Sequence, residues 1–132
     1  MRRPGVFDDE RGSSPVEFVL VGTLLTALTL AVLQVAFAVY VRNVVHDAAV
    51  EGAHYAALAD TSLGEGADRT RLVITRAIGP EYAEGVLIGE DASLGHDSVV
   101  VQVSTTLPVL GLIGIPYAME VEARAPVETF GE

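Results

Sequence analysis

The chain of 132 residues contains no cysteine, no tryptophan and no lysine, so arginine supplies all eight of its basic side chains. Without cysteine, the chain can form neither a disulfide nor a thiolate metal site. The formal net charge is −10 at pH 7, and an acidic chain gains nothing from counterion release on nucleic acid. These absences exclude disulfide-stapled folds and cysteine metal centres, and they argue against DNA or RNA as a partner.

The most prominent feature that is present is an uncharged run of 24 residues, 18–41. As a helix it would be about 36 Å long at ~1.5 Å per residue, enough to cross a bilayer core of ~30 Å. Its leucines and valines each favour insertion by roughly 0.3 to 0.6 kcal/mol. The run therefore predicts one N-terminal transmembrane helix. The alternatives are a buried helix of a soluble core and a signal peptide cut after Ala38, and the run is long for both.

Basic residues are more frequent before this run than after it. Arg2, Arg3 and Arg11 precede it, and only Arg42 follows closely. Because the side richer in Lys and Arg stays in the cytoplasm, we predict a single-pass protein with a cytoplasmic N-terminus and an extracytoplasmic C-terminus. We divide the chain into a leader or tail (1–12), a transmembrane and extended helix (13–60) and a small extracytoplasmic domain (61–132).

Small residues recur one turn apart along this helix, whose periodicity continues to about residue 59. Ridges of small residues let helix backbones approach closely. The alternative is that alanine is simply a good helix former, but glycine inside a helix costs stability. The residues predicted to pack are Gly22, Thr26, Ala27, Ala31, Ala48, Gly52 and Ala56.

The start of the helix combines Ser14, Pro15 and Glu17 in the pattern of a capping box with proline at the first helical position. The Glu17 carboxylate would also meet the positive end of the helix dipole. Capping accounts for these three residues, but it does not account for Gly12.

Residues 12–18, Gly-Ser-Ser-Pro-Val-Glu-Phe, resemble the class III prepilin signal, in which a glycine, four residues and Glu-Phe or Glu-Tyr precede an apolar helix. Residues 48–57, Ala-Ala-Val-Glu-Gly-Ala-His-Tyr-Ala-Ala, resemble the alanine-rich segment that follows the membrane helix in the TadE-like family. Members of that family are minor pseudopilins of the tight-adherence (Flp) pilus. The resemblance covers residues 11–60.

The resemblance implies a pseudopilin-type protein of the bacterial cell membrane, which acts through helix packing and subunit contacts in pilus assembly or secretion. It implies that a prepilin peptidase cuts after Gly12, that Glu17 and Phe18 belong to the signal, and that Glu17 meets the N-terminal amine of a neighbouring subunit. Pro15 departs from the small residue more usual there and would hinder an extended peptidase complex. The implied partners are the membrane, other pilin-like subunits and the pilus assembly machinery.

The alternative function is a bitopic membrane protein whose acidic ectodomain binds a ligand or partner, unrelated to a pilus. In that case the residues from Ser14 to Glu17 serve only as a helix cap.

Beyond the long helix, the sequence predicts an α+β layout with one short helix and a small antiparallel β-sheet. Residues 60–66 have the composition of a loop, and 67–78 form an amphipathic helix with Leu72, Val73 and Ile78 inward. A short strand is predicted at 86–88, and alternating patterns predict strands at 98–107 and 117–126. The uncharged connector 108–116 is either a hairpin loop over the sheet edge or an exposed apolar patch for a partner subunit or lipid.

No combination of residues indicates catalysis or metal binding. His46 and His54 share one helical face without a third ligand, and the motifs of zinc proteases, P-loops and nucleophile elbows are absent. Asp47 and Glu51, one turn apart, fit a solvated face. We therefore predict a protein that is not an enzyme and that uses no metal and no cofactor.

Overall fold

The structure, a computed structural model, describes Met1 and residues 13–109 and 113–128. In chain order it contains two helices, α1 (Ser13–Ala57) and α2 (Leu63–Ala77), a 3-10 turn (Pro80–Tyr82), and the strands β1 (Gly85–Asp91), β2 (Ser98–Val109) and β3 (Ile113–Pro126). The chain divides into two compact units, Met1–Leu33 and Gln34–Glu132. The predicted α+β class is confirmed, with a long apolar N-terminal helix, a second short helix and a small antiparallel sheet.

The sheet has the strand order β1-β2-β3, and both pairs of neighbours are antiparallel. Alternate residues face inward, as the period of two requires. Val101 of β2, for example, lies opposite Ile88 of β1 and Ala123 of β3. The alternation predicted for β2 and β3 is confirmed, because the buried residues include Val99, Val101, Val103, Thr105, Met119, Val121, Ala123 and Ala125.

One hydrophobic core joins this inner face of the sheet to the two helices. The part of α1 that belongs to the Gln34–Glu132 unit contributes Val41, Val45 and a series of alanines, and α2 contributes Ala67 and Ile74. Small side chains on α1 therefore let its backbone lie close to its neighbours, while the sheet contributes larger side chains, such as Val101 and Val103.

Helix α2 begins earlier than predicted. Ser62 is its N-cap, and a capping box is complete: the Glu65 amide donates to Ser62 Oγ at 3.3 Å, and the Ser62 amide donates to Glu65 Oε2 at 2.8 Å. The prediction of a loop over 60–66 is therefore wrong for residues 63–66. Glycine-rich composition suggested a loop, but a Ser-x-x-Glu cap satisfies the first amides of a helix even when glycines follow.

The inward face of α2 also differs from the prediction. Leu72 is 40% exposed, and Val73 and Ile78 are only partly buried. Ile74 is the one large buried side chain of α2, and small residues take the other buried positions, where the helix packs close to a neighbouring backbone. The buried residues of α2 are Gly66, Ala67, Thr70 and Ile74.

The predicted connector 108–116 is largely paired strand. Leu107 lies opposite Ile115, and Pro108 lies opposite Gly114, so the prediction of a hairpin loop across this whole segment is wrong. The remaining residues, 110–112, lie outside the described part of the chain. Pro116 cannot donate a hydrogen bond to the ladder. It lies in the register shift between the pairs Leu107–Ile115 and Thr105–Met119, so the strands pair on both sides of it.

Candidate functional site in the N-terminal helix

The first part of α1, residues 13–33, is exposed along its whole length in the Met1–Leu33 unit. The most apolar window of 18 residues in α1 has a mean hydropathy of 2.2, and none of that window is buried. A surface of this kind is unstable in water and stable in lipid. The helix is thus long and apolar enough to cross a membrane, as the sequence predicts.

Three threonines in this segment satisfy their own hydroxyls. Thr23 donates to the Val19 carbonyl at 2.7 Å, Thr26 to that of Gly22 at 2.8 Å, and Thr29 to that of Leu25 at 2.8 Å. A polar group without a partner is costly in hydrocarbon. Because each hydroxyl returns to the preceding turn, the segment can enter a bilayer without leaving these groups unpaired.

The N-terminal signal residues are only partly described. Gly12, after which cleavage is predicted, lies outside the described residues. Helix α1 begins at Ser13, so Ser14 lies within the helix and its prediction as the N-cap is wrong. The serine that contacts Glu17 is Ser13, whose Oγ donates a hydrogen bond to Glu17 Oε1 at 3.0 Å. Glu17 and Phe18 are both exposed.

Gly22 has open space around it. A β-carbon built on Gly22 would meet no other atom within 4 Å, apart from its own helix turn. Thr26, Ala27 and Ala31 are exposed as well. Nothing in the described chain covers these four residues, so their predicted role in packing concerns lipid or another polypeptide.

Ala48, Gly52 and Ala56 lie in an internal contact. All three are buried. A β-carbon on Gly52 would overlap Thr70 Oγ1 and would lie 2.7 Å from the Gly66 carbonyl oxygen. This ridge of α1 therefore packs directly on the backbone of α2, and the sequence did not reveal Gly66 as its counterpart because residues 63–66 resemble a loop in composition.

An ion pair borders the same contact. Arg69 of α2 lies 2.5 Å from Glu51 of α1, and both side chains are nearly half exposed. Glu51 thus has a specific partner, beyond the solvated role that the sequence suggests for it. His46, His54 and Asp47 are exposed on the same helix, and within the described ranges no three His, Cys, Asp or Glu residues come together as a metal site would require.

The outer face of the sheet carries a shallow depression of about 280 Å³, lined by Leu87, Val100, Gln102 and Arg124 among others. Arg124 is paired with Asp91 at 2.5 Å and with Glu122 at 2.8 Å. The Ser93 hydroxyl and amide, followed by Arg124, lower the pKa of Asp91 to about 2. Since the arginine is neutralised by two carboxylates, this depression does not present a cation to an acidic ligand.

Residues 12–54 match the family model described as TadE-like protein. The segment is similar to that family over 43 of the chain's 132 residues. The resemblance drawn from residues 12–18 and 48–57 is thereby confirmed. Neither the curated proteins nor the solved structures contain a match to the chain.

The family match bears on function only in general terms. The TadE-like family is associated with the Tad pilus, and the matched segment includes the apolar part of α1. That family and the apolar helix together fit a membrane protein. The family is not known for enzymatic activity. The TadE-like match ends at residue 54, and α2 and the sheet lie beyond it.

Proposed function

We propose that this protein is a pseudopilin-type, single-pass subunit of a tight-adherence (Flp) pilus or secretion system, which acts by packing its N-terminal helix against other pilin-like subunits. The observation that carries the proposal is the free ridge at Gly22 and Thr26 within the TadE-like segment. A glycine inside a helix costs about 1 kcal/mol relative to alanine. No contact within the described chain requires it there. A close helix neighbour would require it, as in other small-xxx-small interfaces.

The proposed orientation keeps the N-terminus in the cytoplasm and the Gln34–Glu132 unit outside. Arginine is more frequent before the apolar run than after it, which favours this direction of insertion. In this arrangement, the chain would comprise the leader 1–12, the helix 13–60 and an extracytoplasmic domain from residue 61. A prepilin peptidase acting after Gly12 would be a transient partner at the cytoplasmic boundary.

Glu17 has a defined place in the proposed assembly. Its carboxylate accepts a hydrogen bond from Ser13 Oγ, but a single hydroxyl does not neutralise a charge at the membrane boundary. Cleavage after Gly12 would create an ammonium group at Ser13. We propose that Glu17 pairs with this group on a neighbouring subunit and that Phe18 accompanies it in the signal, so that processing and assembly are coupled.

The packing surface can be tested by site-specific crosslinking because the chain has no cysteine. A benzophenone probe is attached to Val19→Cys or Leu30→Cys in native membranes, because these larger residues line the same groove as Gly22 and Thr26 and leave the ridge itself unchanged. Leu24→Cys and Leu28→Cys are matched controls, because a rotation of about 100° per residue places them on the other side of the helix. Adducts with pilin-like subunits or with a second copy are expected from the first pair. Equal yields from all four positions would contradict a defined helix interface.

Processing is tested separately by mass spectrometry of the protein isolated from membranes that contain the peptidase. A mature chain that begins at Ser13 is expected, whereas an intact Met1 N-terminus excludes cleavage.

Glu17→Ala distinguishes the alternative of a ligand-binding ectodomain unrelated to a pilus. If assembly and secretion survive Glu17→Ala while the protein remains folded, the Glu17 contact is not part of the function.

A further inference from the structure

The start of β3 carries an exposed apolar surface that has no role in the proposed pilus assembly. Ile115 is 51% exposed and Tyr117 is 65% exposed, and between them lies Pro116. These residues belong to an uncharged run of 22 residues, 98–119, which ends at Glu120. We name the residues Ile115, Pro116, Tyr117 and Ala118 the β3 patch. All four are exposed.

The register of the hairpin turns this patch outward. Thr105 pairs with Met119, and the next pair is Leu107 with Ile115. Across this step, β2 contributes one residue, whereas β3 contributes three, the residues 116–118. Tyr117 has a φ of 55°, a left-handed conformation that is costly for a residue with a β-carbon. Bulges of this kind redirect side chains, and here the result is an exposed tyrosine beside an exposed isoleucine.

The position of the patch along α1 is fixed at two points of the Gln34–Glu132 unit. At one end, Leu107 and Ala118 line a depression together with Ala38 and Val39 of α1. At the other end, the Glu128 amide donates to the Ala57 carbonyl at 3.0 Å. Strand β3 therefore runs beside α1 in the same direction, and the β3 patch lies at the Ala38 end of this unit.

The first charged residues of α1 and β3 lie together at that end of the unit. Arg42 is the first charged residue after the apolar run of α1, and Glu120 is the first after the uncharged run that contains the patch. Both side chains line the depression that also contains Ala38 and Leu107. Charged side chains stay at the aqueous side of a bilayer boundary. The boundary that Arg42 sets for the helix therefore passes through Glu120 as well, and the patch lies on its apolar side.

The aromatic residues agree with this placement. Tyr40 and Phe37 of α1 stack with ring centroids 6.4 Å apart, and both are exposed. Tyrosine is enriched where membranes meet water, because its ring is apolar and its hydroxyl is wet. Tyr117 supplies a third aromatic ring at this end of the unit.

We infer that the β3 patch is a second membrane contact: Ile115 and Tyr117 insert into the interfacial region of the bilayer beside the point where α1 leaves it. The occupant is the lipid surface itself, and a second copy of the chain is the competing outcome of the test. This inference depends on the membrane-spanning helix, and it does not depend on assembly into a pilus. Lipid insertion of the patch would hold the Gln34–Glu132 unit at the membrane at two points.

The absence of tryptophan in the chain allows a direct measurement. Tyr117→Trp places a single indole fluorophore in the patch of the full chain, reconstituted in phosphatidylcholine vesicles. Leu94→Trp is the matched control, because Leu94 is 63% exposed and lies in the connection between β1 and β2, at the Ala57 end of the unit. Lipids brominated near the upper end of the acyl chain report contact with the bilayer, and iodide reports contact with water.

An interfacial side chain lies about 5–10 Å into the headgroup and acyl boundary, so we expect brominated lipid to quench the Tyr117→Trp variant at least about twofold more than the Leu94→Trp variant. Iodide should quench the Leu94→Trp variant more strongly. Equal quenching of both variants by iodide overturns the inference.

The competing occupant gives a different signal. A blue-shifted emission of the Tyr117→Trp variant that brominated lipid does not quench, and that depends on the protein-to-lipid ratio, assigns the patch to a second copy and also overturns the inference. Ile115→Trp provides the same readout if the left-handed position 117 does not accept an indole side chain.

Discussion

Gly22 and Gly52 lie in the same helix, and each is followed one turn later by another small residue, Thr26 or Ala56. In sequence the two sites look alike. In the structure a β-carbon at Gly52 would overlap Thr70, whereas one at Gly22 would meet nothing within 4 Å. A small-residue ridge therefore indicates that something packs closely, but it does not indicate what. At Gly52 the neighbour is α2 of the same chain, and at Gly22 the described chain provides none.

The largest effect is expected from Gly52→Ala. The added methyl group would overlap Thr70 Oγ1 and crowd the Gly66 carbonyl. Overpacking costs about 1–3 kcal/mol, and alanine recovers up to about 1 kcal/mol of helix propensity. We expect a net loss of about 1–2 kcal/mol and a fall in Tm of roughly 5–15 °C for a domain of this size. Thermal unfolding of the reconstituted chain, followed by circular dichroism, measures it.

Gly22→Ala is the control for this substitution, because it makes the same chemical change in open space. The melting temperature should not fall with Gly22→Ala, because alanine favours the helix and meets no other atom there. If Gly22→Ala lowers the melting temperature as much as Gly52→Ala, the contrast between the two parts of α1 is wrong.

A smaller effect is expected from Ser62→Ala, which removes the N-cap of α2. Helix α2 presents Gly66 and Thr70 to Gly52, so fraying its first turn loosens the internal contact. Loss of a serine cap costs about 1 kcal/mol. Ser62→Asp keeps an acceptor for the Glu65 amide and should retain most of the stability. The same unfolding measurement applies, and equal destabilisation by Ser62→Ala and Ser62→Asp would show that the cap is not what matters there.

Two features of the fold could be predicted from the sequence. The membrane helix and the alternating strands were predictable because one depends on a long uncharged run and the others on a strict period of two. Buried valines such as Val101 and Val103 follow from that period alone. These patterns are local in sequence, so they can be recognised without knowing which distant residues pair with the strands or pack on them.

The start of α2 and the internal partner of Gly52 were not predictable in the same way. Gly64 and Gly66 give residues 63–66 the composition of a loop. Only the capping box of Ser62 and Glu65 indicates that a helix begins there. Burial of Gly66 and Thr70 depends on how near the α1 backbone comes, which is a tertiary property. The pairing of β2 with β3 on both sides of Pro116 likewise depends on a register shift that no local pattern shows.

Acid should act on the Gln34–Glu132 unit through Asp91. Hydrogen bonds from Ser93, together with Arg124, lower its pKa from 3.8 to about 2. A group whose pKa is lower in the folded state stabilises that state fully above its unfolded pKa. The contribution is therefore complete above about pH 4 and disappears as the pH falls to about 2. In Asp91→Asn the unfolding temperature should fall less steeply over this window than in the unchanged chain.

Glu90→Gln is the control for the acid measurement, since it changes the neighbouring carboxylate and leaves the contacts among Asp91, Ser93 and Arg124 in place. Its pH profile in this window should follow that of the unchanged chain. A profile of Asp91→Asn that coincides with both would show that this carboxylate does not contribute to folding.

The smallest effect is expected from Thr26→Val in the exposed part of α1. Valine has nearly the same shape, and the hydroxyl that it removes donates only to the Gly22 carbonyl of its own helix. Because that carbonyl keeps its place in the helical ladder, neither insertion nor helicity should change measurably, as membrane fractionation and circular dichroism can show. Crosslinking from the probe at Val19→Cys should also persist, because the width of the ridge is preserved. Thr26→Leu widens that ridge by contrast, and it should reduce the crosslinking without altering insertion. If Thr26→Leu leaves the adducts unchanged, the neighbouring subunit does not depend on a narrow ridge at Gly22, and close backbone packing in α1 is then confined to Gly52.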